Sequence, residues 1–459
     1  MVYECLKAWR LRNILLMNNT KVILHTSCVN YKFEDLKNMF SLEFDFVIPE
    51  DVFFELRLLV KSRVFGVKSA FILEKAKLLT GYSGWELSSV YHTNFTEIRN
   101  SVFFNNSLIF IFGDLNKTDE FLKHATGGEK MYIFLPPSTW SCTSGNGVIM
   151  DLLKIKQYQL RHAHALVKGE KVEKLSKTPF VYKNGNKETV ITRDQFVSTG
   201  KYGSNADIYT CHSIPGAYIK GYKSLSMVGT QKKKLQFLQK FGAMVPNMNC
   251  AFPIVLLHNQ STSVVGYSMK KINGRLLREY LALGWEGHNL GKIFENLMLL
   301  LLELHTMHII VNDLSYNNIL IDDFDNVGLV DCDSFQIVNY PGGGITKIYQ
   351  HPEIENSEVS HQLREPRHEY FALAVVLFQC LFGDEPLRQV QDASDENELN
   401  WENASFPLKI DSYSPVANKK IQEIWFKQPR ELRKAFFEEF TFQRDISIGS
   451  WIRILGIID

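Results

Sequence analysis

The stretch Glu303–Ile337, ELHTMHIIVNDLSYNNILIDDFDNVGLVDCDSFQI, decides how this chain reads. Asp313 stands on a polar turn after the apolar run Ile309-Ile310-Val311. Asn318 follows on the same turn, and Ile319-Leu320-Ile321 then makes a short strand. Asp322-Asp323-Phe324-Asp325-Asn326 is a turn into a second strand, Val327-Gly328-Leu329-Val330, which ends on Asp331. Short aliphatic runs bounded by Asp/Asn clusters signal strand, turn and strand. The hairpin delivers a carboxylate, an amide oxygen and a second carboxylate to one edge. Phosphoryl transfer to a hydroxyl calls for that set: a base beside the acceptor and oxygen ligands for Mg²⁺.

The spacing resembles the protein-kinase catalytic loop, D-x-x-x-x-N, followed by a metal-binding Asp at the D-F-G position. The wording NDLSYNNILID and LVDCDSFQI resembles a bacterial branch of serine/threonine kinases with a D-x-D-S-F-Q string. The resemblance implies Asp313 as catalytic base, Asn318 and Asp331 as metal ligands, and ATP with Mg²⁺ as cofactors.

At 459 residues the chain exceeds the usual domain range of about 100–200, so two or three domains are expected. A net charge of +1 gives no pull towards nucleic acid or membrane. Seven dispersed cysteines without C-x-x-C argue for a reducing compartment and against disulfides or zinc. The most apolar window, Leu297 to Leu302, is too short to cross a bilayer. A cytoplasmic protein without membrane partners is expected.

Residues 1–16 read as an extension ahead of Met17. Residues 17–145 alternate strands (Lys21–Leu24, Phe44–Ile48, Ser107–Phe112, Met131–Leu135) with helical runs, including one opened by Pro49-Glu50-Asp51. Such alternation predicts an α/β domain with a parallel sheet. The order resembles PIN-domain nucleases, in which acids at strand ends hold Mg²⁺ or Mn²⁺ for RNA cleavage. On that resemblance Glu55, Asp114 and Asp119 are a candidate acidic site and RNA a candidate partner. His25 stands where the family's first Asp belongs, and an imidazole weakens a site for hard cations. Residues 146–190 read as a helical linker, with His162 and His164 on its surface and Lys168–Lys177 a solvated face.

Residues 191–270 resemble a kinase N-lobe of five strands. Thr199–Tyr209 resembles a thinned glycine-rich loop in which Gly200 and Gly203 remain and Ile208 lies on the returning strand. Ala217-Tyr218-Ile219-Lys220 matches the V-A-I-K strand, whose lysine holds nucleotide phosphates. Met269, Lys270 and Ile272 would form the adenine-binding hinge. In kinases the lysine pairs with a glutamate on the next helix, here QKKKLQFLQKF over Gln231–Phe241. Residues 221 to 250 contain no acid, so Gln231, Gln236 or Gln239 would be a neutral stand-in.

Residues 271–459 resemble the helical C-lobe. Leu290–His308 is a long apolar helix before the catalytic loop, and Ile348–Glu353 matches the A-P-E end of an activation segment. Arg444 matches the arginine that pairs with that glutamate. Glu369–Phe378 matches the buried helix D-x-F-A-L-A with Glu in place of its first Asp. The expected whole is an α/β PIN-like domain joined to a bilobal α+β kinase-like fold that phosphorylates Ser or Thr of a protein. Two alternatives stand beside it: a pseudokinase scaffold, and a metal-dependent RNase acting through the N-terminal domain.

Overall fold

The structure is a computed structural model that describes residues 21–41, 45–79, 108–111, 131–134, 180–184, 187–191, 195–202, 206–212, 214, 216–223, 228–259, 264–307, 309–337, 340–354, 364–387 and 405–458. The first unit is the expected parallel α/β layer. It runs β1 (Lys21–Leu24), α1 (Phe33–Phe40), β2 (Asp45–Pro49), α2 (Glu50–Leu59), α3 (Gly66–Lys75), β3 (Lys77–Leu79), β4 (Leu108–Ile111) and β5 (Met131–Phe134). The sheet order is β3-β2-β1-β4-β5, and Lys21 of the central strand aligns with both Asp45 and Leu108. Val22, Ile23 and Leu24 are all buried, as a parallel strand covered on both faces requires. Pro49 caps α2 as its sequence predicts, with Glu50 and Asp51 in the first turn.

The expected helical linker is corrected at its C-terminal end. Residues 180–184 and 187–191 form β6 (Phe180–Asn184) and β7 (Lys187–Ile191), an antiparallel pair that joins the next sheet. Asn184-Gly185-Asn186 between two alternating runs carries that signal in the sequence. The remaining strands are β8 (Phe196–Tyr202), β9 (Ala206–Cys211) and β10 (Ala217–Tyr222). Helix α4 (Val228–Met244) precedes β11 (Pro253–His258) and β12 (Val264–Lys270). The sheet therefore has seven antiparallel strands rather than five, in the order β7-β6-β11-β12-β10-β9-β8. Helix α4 buries Leu235 and Leu238, and its Phe241 meets Phe252 edge-on at 5.2 Å.

The helical lobe opens with β13 (Arg275–Leu276), α5 (Leu277–Leu283) and α6 (Leu290–Thr306). Four short strands follow: β14 (Ile309–Ile310), β15 (Ile319–Ile321), β16 (Val327–Leu329) and β17 (Gln336–Ile337). Helices α7 (Pro366–Phe382), α8 (Lys419–Trp425), α9 (Arg430–Phe442) and α10 (Ile448–Ile454) complete it. Helix α7 is apolar on every side because it is the lobe's centre and is buried almost throughout. Its Phe378 meets Phe436 edge-on at 5.5 Å and Phe406 at 5.8 Å. Burial of each such ring contributes roughly 1.5–3 kcal/mol.

The parallel domain docks on this lobe through α2. The Asp51 carboxylate accepts from the Ser447 hydroxyl at 3.3 Å, and Glu55 accepts the Gly449 N–H at 3.4 Å. Position 449 must be glycine, since a Cβ there would overlap the Asp51 carbonyl oxygen. Asn30 donates to the Thr306 carbonyl at 2.5 Å at the end of α6. Among the described residues, no helix is long and apolar enough to cross a membrane.

Candidate active site

The β10–β12 ladder sets the first half of the site. Lys220 lies directly opposite Tyr267, and Tyr222 is two residues further along β10 on the same face. Three donors thus point off one patch of the sheet towards the loop after β16. That loop turns sharply because Asp331 adopts a left-handed conformation, φ 62°, which Asp tolerates better than most residues. A 3₁₀ turn over Cys332–Ser334 follows and brings Asp333 back alongside. The Lys220 ammonium forms ion pairs with both Asp331 and Asp333, the latter at 2.6 Å. Tyr222 and Tyr267 each donate to the Asp333 carboxylate at 2.8 Å.

The β15–β16 hairpin, which pairs Ile319 with Leu329, sets the second half. Asn318 donates its side-chain N–H groups to the Asp313 carboxylate at 2.8 Å and to the Asp313 carbonyl at 2.9 Å. The other Asp313 oxygen accepts the Thr346 N–H at 3.0 Å. The loop is anchored from below by Glu369 of α7, which accepts the Val311 N–H at 2.5 Å and lies 2.9 Å from His305 Nε2. Glutamate in place of aspartate therefore still reaches the loop backbone.

Burial dominates the electrostatics, and pairing reverses it at two groups. Burial alone would push Asp333 up, yet the Lys220 ammonium and the bonds from Lys220, Tyr222 and Tyr267 hold it down to about 2. Burial would likewise lower Lys220, but the two carboxylates keep its pKa well above the ordinary lysine value. Lys234 of α4 is different. Burial lowers its pKa to about 8, and its ammonium donates to the Pro341 carbonyl at 3.0 Å.

The oxygen set fits a hard cation. The Asn318 side-chain nitrogen is taken up by Asp313, and Asp331 binds Lys220 through its Oδ1. Asn318 Oδ1 and Asp331 Oδ2 are the residues' remaining ligand atoms, and both suit Mg²⁺.

The other expected positions fall as follows. Gly200 lies in β8, and Gly203 is outside the described residues. Ile208 of β9 pairs with Lys220. Met269 and Lys270 end β12, and Ile272 is buried against Gly328 of β16. Tyr218 is half-buried beneath Lys271, whose ammonium lies 5.7 Å from the ring centre. Gln236 is exposed and Gln239 donates to the Ile254 carbonyl at 2.8 Å, so neither partners Lys220; the Gln231 side chain is outside what is described. Arg444 is exposed, and Glu353 pairs instead with Arg367 of α7 at 2.5 Å.

In the N-terminal domain Glu55 is buried and accepts from Thr26 and Gly449. His25 accepts the Ser27 N–H at 3.1 Å and caps a short turn. Asp114, Asp119, His162 and His164 lie outside the described residues.

His351, Glu353 and His368 bring ligand-type atoms within 4.8 Å of one another. Nδ1 of His351 accepts the Glu353 N–H at 3.1 Å, and Nδ1 of His368 accepts the Glu365 N–H at 3.0 Å. Each neutral ring therefore carries its proton on Nε2, where a cation would need a lone pair. Burial, chiefly, pushes His368 down to about 4. The cluster is a polar joint closed by Arg367.

Sequence reading missed Asp333, Tyr222 and Tyr267, and the basic run Lys232-Lys233-Lys234, which reads as the solvent face of the helix, instead buries Lys234. The period-2 face Lys220/Tyr222 and the second acid of D-x-D were available signals; their convergence depends on the tertiary register.

No protein-family model matches the chain, and no curated protein does. Among solved structures it is similar to a rhoptry kinase from Toxoplasma gondii, with 11% identity and a TM-score of 0.41 over 61% of this chain and 82% of that one. It is also similar to a Toxoplasma gondii specific rhoptry antigen kinase domain, with 12% identity and a TM-score of 0.39 over 61% and 85%.

Proposed function

We propose that this chain is a protein-kinase-like phosphotransferase that moves the γ-phosphoryl group of ATP to a protein Ser or Thr hydroxyl, fused to a PIN-like domain. One observation supports the reading: Lys220 of the sheet pairs with Asp331, the Asp331 carboxyl feels the charge of Asp313, and Asn318 bonds Asp313, so the four residue types this chemistry uses are linked across the two lobes. Asp313 orients the acceptor hydroxyl and takes its proton. Asn318 and Asp331 would hold Mg²⁺, which would neutralise charge on the transferring group. Lys220 positions the phosphates. Positioning and charge complementarity supply most of the rate in such transfers.

Thermal melting with ATP tests the nucleotide part. Mg²⁺ and ATP together should raise the melting temperature of the wild type, and Asp331→Ala should lose the metal-dependent share. A wild type indifferent to ATP would overturn the reading. A metal-dependent shift without transfer of label would favour the nucleotide-binding scaffold.

A further inference from the structure

We infer that Asp333 takes over the task of the absent helix glutamate: it is the positioning residue that fixes Lys220 for nucleotide phosphates. The orientation of the lysine is thereby set by the D-x-D turn and not by the placement of α4. This rests on the kinase-like reading and deepens it.

The geometry around Asp333 is that of a built carboxylate receptor. Lys220 at 2.6 Å and the hydroxyls of Tyr222 and Tyr267 at 2.8 Å all donate to it. The strand register places those three donors on one face. A buried carboxylate is costly unless it is paired and hydrogen-bonded, and this one is both.

The two acids on Lys220 differ in surroundings. The Asp333 side chain is 8% exposed and walled by tyrosines, whereas that of Asp331 is 38% exposed. Asp333 is suited to hold the lysine, and Asp331 to face the cleft. Ser334 supports the arrangement by donating through its hydroxyl to the Asp331 carbonyl at 2.7 Å.

Among the described side chains of helix α4, none is a rival partner. The helix contains no acid, and the polar side chain it is described as burying near the site is Lys234, which is drawn to Asp333 and Asp331 and repelled by Lys220. Lys234 instead holds the segment after the D-x-D turn through the Pro341 carbonyl.

The test uses the full chain labelled with ¹⁵N-lysine and no nucleotide. A buried, clamped ammonium exchanges its protons slowly and gives a resolved NH₃⁺ signal, assigned by its loss in Lys220→Met. The signal should persist in wild type and Lys234→Met and vanish in Asp333→Asn. In transfer assays Asp333→Asn should raise the ATP KM by at least about tenfold, the loss expected for a charged hydrogen bond, with the acceptor KM unchanged. Asp333→Asn/Lys234→Glu, which returns an acid to α4, should recover much of that loss. If Asp333→Asn does not fold, Tyr222→Phe/Tyr267→Phe keeps the acid and should broaden the signal. A Lys220 signal and an ATP KM unchanged in the Asp333 variant would overturn the inference. A signal that behaves as stated, with no transfer by any form, would uphold the pair and bring down the phosphotransfer reading instead.

Discussion

The side-chain nitrogen of Asn318 lies 2.8 Å from a carboxylate oxygen of Asp313 and 2.9 Å from its carbonyl oxygen. One amide thus braces the proposed base. Asn318→Asp keeps the size of the side chain but sets a second negative charge against Asp313. We expect kcat to fall roughly a hundredfold, within the range for a displaced catalytic base. Steady-state transfer kinetics measure this, and an unchanged kcat would contradict the brace.

Arg367 and Arg444 separate structure from resemblance. Arg367 is buried among Glu353 at 2.5 Å, Glu365 at 2.9 Å and Asp445 at 3.4 Å. Removing one partner from a buried ion network costs about 3–5 kcal/mol, so Arg367→Ala should destabilise by that order. Exposed Arg444→Ala should stay within about 0.5 kcal/mol. Denaturant melting of both variants decides it; the reverse ranking would mean that the A-P-E glutamate has another partner.

Glu439 gives the protein a pH dependence. It is fully buried, and burial first, then the nearby Asp445, pushes its pKa from 4.5 to about 8 against the pull of the Ile446 N–H. Between those values the native state holds a proton that the unfolded chain has released. Stability from this group is therefore complete below the unfolded value and is lost as pH rises towards 8. At roughly 1.4 kcal/mol per pKa unit the loss is on the order of a few kcal/mol. Glu439→Gln should be the more stable protein at pH 8 and lose that advantage at pH 5; urea midpoints at the two values give the answer. Parallel pH profiles would show that the carboxyl stays charged.

Glu55 is a docking residue in this structure, held by Thr26 and the Gly449 N–H. Glu55→Ala and Gly449→Ala should both loosen the parallel domain from α10. Each should speed limited proteolysis between the domains and lower the melting temperature by a few degrees. Manganese-dependent RNase activity abolished by Glu55→Ala would instead give that carboxylate a catalytic role.

The hairpin that carries the candidate site was legible because its parts are local. Asp313, Asn318 and Asp331 sit on one hairpin whose turn and strand signals are strong, and β1, α2 and α7 announce themselves by apolar runs and caps. Contacts between distant elements were not legible. The missing acid after Lys220 was visible as an absence, but its replacement comes from Asp333, more than a hundred residues on, through a register that no local pattern encodes. Arg367 displaced Arg444 for the same reason: the choice depends on which guanidinium the packed lobe buries. The β6–β7 hairpin was missed although Asn184-Gly185 marks it, because its strands are short and stabilised by pairing with β11.

The most direct measurement is incubation of the purified chain with γ-labelled ATP and Mg²⁺, followed by counting acid-stable label on Ser and Thr. The wild type should carry label, and Asp313→Ala and Asp331→Ala should carry none while still folded. A wild type without label, or an Asp313→Ala protein labelled as fully as the wild type, would contradict the proposed chemistry.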